Sequence, residues 1–233
     1  MKTNNPLLNN LDQFNKISHD YASIRNIAKK ELFLLFLTIL SASTIIAFNL
    51  TSSLLSIVSG LIGLILILIL HRYNEYSGMI APFFAITEGV FLSSISLLCE
   101  LAYPGIVIQA IFITLIIALI TALIYANGFI QITDNMKKFV MIALLGLIAC
   151  YIGEFIFGLF EIYFVTNDIV SIMIDIGILL LAILCLLIDY DEIQQAVEIG
   201  VDKEAEWYFA TSLLVTLVFL YVRVLQILIE LKK

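Results

Sequence analysis

Residues 105–126 read GIVIQAIFITLIIALITALIYA, a stretch without one charged side chain. As a helix it would rise about 33 Å at 1.5 Å per residue. That is enough to cross a hydrocarbon core roughly 30 Å thick. Six more apolar runs flank it, near 32–50, 54–70, 79–99, 139–160, 169–188 and 207–229. In hydrocarbon every backbone N–H and C=O must be satisfied within the protein, and a helix does this within one segment. The pattern predicts an all-α polytopic membrane protein, a bundle of seven transmembrane helices. Residues 1–31 are read as an N-terminal tail, 32–229 as the membrane domain and 230–233 as a short C-terminal tail.

Composition agrees. Hydrophobic residues make up 62% of the chain and charged residues 13%, too little charge for a soluble domain. The partner this surface calls for is the lipid bilayer. The net charge of −7 argues against nucleic acid, which needs a basic face. The first apolar run starts too far from the N-terminus, and with the wrong flanks, for a cleaved signal peptide. Cys99, Cys150 and Cys185 lie in or beside spans and read as buried apolar thiols. His19 and His71 are the only histidines, so zinc and haem have no ligand set. No nucleotide motif or nucleophile elbow occurs. The expectation is a protein that is not an enzyme and holds no cofactor.

Lysine and arginine accumulate on the cytoplasmic side of membrane proteins. Lys2, Lys16, Arg25, Lys29 and Lys30 precede the first span, Arg72 follows the second, Lys137 and Lys138 the fourth, and Lys203 the sixth. The loops near 51–53, 100–104 and 161–168 carry none. This places the N-terminus in the cytoplasm and, with an odd number of spans, the C-terminus outside, although Lys232 and Lys233 oppose the rule. In the tail, Phe14, Ile17, Tyr21, Ile24 and Ala28 recur at helical spacing, an amphipathic helix that packs on the bundle or lies on the headgroups. Ser56, Ser59, Gly60 and Gly63 allow close helix approach in the second span. Pro82 is placed to kink or cap the third.

An ionisable residue inside a membrane marks a candidate site. Glu88 lies roughly 13 Å into the third span, near the midplane. Glu154, Asp175 and Arg223 fall in the outer third, where Arg223 can neutralise Asp175 or Glu154, as a structural ion pair or as an outer latch. The densest constellation is Asp189-Tyr190-Asp191-Glu192 at the inner end of span six, followed by Glu198. Asp175 and Asp189 share a helix face, while Asp191 points elsewhere. Crowded carboxylates can share protons, or accept a hard cation such as Ca²⁺. They can equally form a solvated helix end. Glu206 opens span seven, favoured there by the helix dipole and close enough to complete the cluster. Trp207 and Tyr208 beside it read as an interfacial belt.

Three segments carry a resemblance. LLIDYDEIQQAVEIGVDKEAEWYFATSLLVTLVFLYVRVLQIL (186–228) resembles the last two helices of bacterial Bax inhibitor-1/YccA-type proteins. APFFAITEGVFLSSISLLCELAYPGIVIQA (81–110) is similar to that family's third helix and following loop, and NPLL (5–8) to its start. The resemblance implies seven helices with the last surrounded by the other six. It implies a pH-sensitive Ca²⁺ leak in a bacterial plasma membrane, with Ca²⁺ as the transported ion. It implies a gate of two aspartates, one matched by Asp191, also a Ca²⁺ candidate, the other by Thr216, which does not ionise. Asp189 with Asp191, or Asp191 with Glu206, are the local substitutes for that pair, and Glu88 matches an acidic position of the bacterial subgroup and is a candidate to line the path. The alternative is a non-transporting regulator that binds membrane proteins, such as a membrane protease or a quality-control complex.

Overall fold

The computed structural model describes residues 21–159 and 168–232. Its helices are α1 (Ile24–Ala47), α2 (Ser53–Arg72), α3 (Ser77–Ala102), α4 (Ile106–Ala126), α5 (Asp134–Leu159), α6 (Asp168–Ile199) and α7 (Ala205–Glu230). All seven are long and apolar enough to cross a membrane. Large apolar side chains such as Leu61, Leu68, Phe112, Leu119, Ile142 and Leu145 are more than half exposed, as a lipid-facing surface requires.

Two boundaries differ most from the sequence reading. The first helix begins at Ile24, because Ser23 is its N-cap and its hydroxyl accepts from the Asn26 amide at 3.3 Å. Lys30 and Glu31 therefore belong to α1. Tyr21, Ile24 and Ala28 of the expected amphipathic face are exposed. The face turned inward is Ile27, Leu34 and Thr38 instead. Phe14 and Ile17 lie outside the described residues. The sixth helix runs on to Ile199, so 189–192 is not a helix end. Asp189 lies ten residues, about 15 Å, inside that terminus. Gly200 ends the helix in the left-handed conformation (φ 80°). A short bridge follows: Tyr21 pairs with Asp202, and the Ala22 amide donates to the Val201 carbonyl at 2.9 Å.

α7 is the central helix. Its inward face (Ala210, Leu213, Leu214, Leu217, Leu220, Val224, Leu225) is buried along nearly the whole length. It packs directly on α1, α3, α4 and α6. The enclosure by all six partners is not complete, because α2 packs on α3, and α5 on α6. α2 and α5 each reach α7 by a polar side chain, His71 to Tyr208 and Tyr151 to Arg223.

Without a hydrophobic force between helices in lipid, close approach depends on small residues and polar bonds. α3 shows both. The Ser56 hydroxyl of α2 donates to the Phe91 carbonyl at 2.9 Å. The Thr38 hydroxyl of α1 is shared between the Leu34 and Ala85 carbonyls, at 3.0 and 3.1 Å. Gly89 is the tightest point, where a Cβ would land on the Thr38 carbonyl and the Ser41 hydroxyl. Gly89→Ala is expected to cost about 1–3 kcal/mol, read as a lower unfolding midpoint in detergent. Gly146→Ala, which meets open space in mid-helix, should not lower the midpoint.

Candidate functional site

The ends of α1, α2, α6 and α7 gather where the basic residues cluster, and this end carries two polar groupings. The first contains Asp189. Two donors from α7 hold its carboxylate: Ser212 Oγ donates to Oδ1 at 3.0 Å and Thr216 Oγ1 to Oδ2 at 2.5 Å. Ser212 and Thr216 are one helical turn apart, so they present neighbouring hydroxyls to one acceptor. Glu31 of α1 and Glu192 of α6 are near enough for their charges to act on Asp189. Tyr190 and Tyr208 lie in the same field, and the Tyr208 hydroxyl is 3.4 Å from His71 Nδ1. A half-buried carboxylate thus bridges α6 to the central helix by charge-assisted hydrogen bonds.

Asp191 faces away from this group. Two residues on a helix differ by about 200° in direction. Its carboxylate takes the Lys137 ammonium of α5 at 2.7 Å and the Gln195 amide at 2.7 Å. The residue that meets Thr216 is therefore Asp189, and Asp191 pairs with neither Asp189 nor Glu206. Among the described residues no three His, Cys, Asp or Glu side chains are grouped to hold a metal ion.

Glu206 forms the second grouping. It is fully buried at the start of α7. Oε2 lies 2.8 Å from the Lys30 ammonium, while Oε1 accepts from the Ser23 amide at 3.0 Å and the Asn26 side chain at 3.2 Å. The Lys30 ammonium also sits 4.8 Å from the centre of the Trp207 ring, whose edge meets Phe33. Trp207 is thus packed between α1 and Gly78 of α3. Glu206 ties the start of α7 to the start of α1.

Glu88 stands apart from the seam. It is partly buried on α3 and turned towards α2, where a Cβ on Gly63 would lie 3.6 Å from its Oε2. At the opposite end of the bundle, Arg223 Nη1 is 3.7 Å from Asp175 Oδ1, and Arg223 also donates to Gln226 and to the Tyr151 hydroxyl. The Glu154 side chain lies outside the described residues.

Among the partners not singled out from sequence are Glu31, Lys30 and Ser212. Lys30 and Glu31 sit just before the first apolar run, and the change of composition there hid the continuity of the helix. Ser212 has a legible signal, one turn before Thr216 on the same face.

These features define a polytopic helical membrane protein with a central last helix and carboxylates bound to it. A family model described as Bax inhibitor 1 like matches residues 5–233. The chain belongs to that family. No curated protein matches it.

The clamp at Glu206 makes a direct prediction. Lys30→Met leaves a buried carboxylate without its cation and should cost about 3 kcal/mol in unfolding free energy. Lys30→Met with Glu206→Gln should recover much of that loss. A double-variant loss equal to the sum of the two single losses would show that the pair is not coupled.

Proposed function

We propose that the protein is a pH-sensitive leak path for Ca²⁺ in a bacterial plasma membrane, with its N-terminus in the cytoplasm and Asp189 as the sensor. The observation that carries this reading is the Asp189 carboxylate held by Ser212 and Thr216 across the α6–α7 seam. The bridge lies about 15 Å in from the end of α6. Glu31 and Glu192 add negative charge around it. Such oxygens attract a hard cation such as Ca²⁺.

The ionised carboxylate closes the seam. Hydrogen bonds to a charged group contribute about 1.5–3 kcal/mol each, and neutral ones about 0.5–1.5. Protonation of Asp189 therefore weakens the two bonds together by about 2 kcal/mol, a shift of roughly thirty-fold towards the open seam. Flux should rise as pH falls. Thr216 contributes a donor and no second charge, so one proton is sufficient to work the switch. No covalent step is involved and no resident cofactor is needed; Ca²⁺ is the cargo.

The test is Ca²⁺ flux into liposomes holding the purified protein, as a function of pH. Wild type should leak more at acid pH. Asp189→Asn should leak at all pH values with little pH dependence, while Asp191→Asn should keep the wild-type response. An unchanged pH response in Asp189→Asn rules out the sensor. No flux above empty liposomes would instead favour the regulator that binds other membrane proteins. The orientation has its own check. Alkaline phosphatase fused to the C-terminus should be active outside the cytoplasm, and a fluorescent protein fused there by the same route should stay dark.

A further inference from the structure

The leak reading leaves unused the charges at the far end of the α6–α7 seam. Asp175 on α6 is 4% exposed. Its Oδ1 meets Arg223 at a single contact of 3.7 Å. Arg223 directs its other donors to Gln226 and to the Tyr151 hydroxyl, and its buried Nε has no partner. The rings of Tyr151 and Phe219 flank the guanidinium, each with its centre at 5.4 Å. Glu230, the last residue of α7, accepts from the Ser171 hydroxyl of α6 at 2.7 Å through Oε1.

Two carboxyl oxygens are left over. Asp175 Oδ2 and Glu230 Oε2 are buried, and neither has a hydrogen-bond partner. Ser171 and Asp175 are one turn apart on α6, so the bond from Ser171 to Glu230 brings the Glu230 carboxyl group to the face of α6 that carries Asp175. Two bare carboxylates side by side in a low-dielectric site repel, and an unpaired buried charge is costly. One proton between them turns the repulsion into a hydrogen bond.

The charge balance points the same way. Asp175, Glu230 and Arg223 together carry −1, and one proton brings the group to zero. A divalent cation would leave +1 and would sit beside the guanidinium. Among the described residues, α3 and α4 add no cation to this group, and the charge of Lys232, two residues beyond Glu230, acts on Glu100. α4 carries no charged residue. Glu100 of α3 is occupied by the amides of Gly105 and Val107, at 2.6 and 3.1 Å, and feels the charge of Lys232. α5 supplies Tyr151; the Glu154 and Asp168 side chains lie outside the described residues.

We propose that Asp175 and Glu230 form a one-proton site at the end of the bundle opposite Asp189, sharing a single proton at neutral pH and so tying α6 to the last turn of α7. Loss of the proton sets two like charges face to face and pushes the helices apart. The seam then has a titratable tie at each end.

The test is infrared spectroscopy of the full chain in lipid nanodiscs, reading the C=O stretch of protonated carboxyl groups at neutral pH. Asp175→Asn should remove the intensity of one carboxyl group. Glu230→Gln should remove the same band, and the double variant should remove no more than either single one. Should Asp175→Asn fail to fold, Glu230→Gln at the helix terminus still gives the reading, with the ionised Asp175 then balanced by Arg223. The proposal is overturned if the single variants leave the band intact, or if the double variant removes two carboxyl groups. Neither result depends on whether Ca²⁺ flux is seen, so this site and the leak reading stand or fall separately.

Discussion

A charge placed in hydrocarbon must find a partner within the protein, and in this chain α7 supplies most of the partners. Its first turn buries Glu206 against Lys30 of α1. Its middle offers Ser212 and Thr216 to Asp189 of α6. Its far half offers Arg223 to Asp175 of α6. Ser212, Thr216 and Arg223 fall within about 40° of one another around the helix, because four and eleven residues return near one face. Asp175 and Asp189, fourteen residues apart, do the same on α6. Two antiparallel helices thus meet along a polar seam within an apolar bundle. The leucine-rich faces around α7 supply packing, and the seam sets which faces of α6 and α7 meet.

A polar seam is also where such a bundle can be loosened. Packed apolar faces gain little from a change in pH, whereas a carboxylate bridge between helices changes strength with one proton. Thr216 makes the bridge simpler than two facing aspartates would be. It donates a hydrogen bond at any pH, so in the proposed switch the state of the seam follows the charge on Asp189, with Glu31 and Glu192 nearby. Asp191, paired with Lys137 on the outer side of α6, joins α6 to the start of α5.

The fold was legible from sequence because span length and the cost of burying charge are strong constraints. The proximity of Asp175 and Arg223 was legible too, since the depths of two charges on antiparallel spans can be compared by counting residues. Helix ends were less legible. The polar turn at 24–31 and the extension at 190–199 have compositions that suit water, yet the helices continue through them, capped by Ser23 and stopped at Gly200. That continuity places Glu31 beside Asp189 and Lys30 beside Glu206. The choice between Asp189 and Asp191 depended on the rotation of α6 about its axis, which packing against α7 decides. Counting residues says how far along its span Glu88 lies, but not which neighbour its side chain faces, and it faces α2.

The most direct measurement is the coupling free energy between Asp189 and Thr216, from a double-mutant cycle of Asp189→Asn and Thr216→Val on the unfolding of the protein in lipid-like detergent. If the charged bridge holds the seam, the coupling should be about 1–2 kcal/mol at neutral pH and should fall towards zero in acid. A coupling near zero at neutral pH, or one that does not change with acidification, would contradict the account.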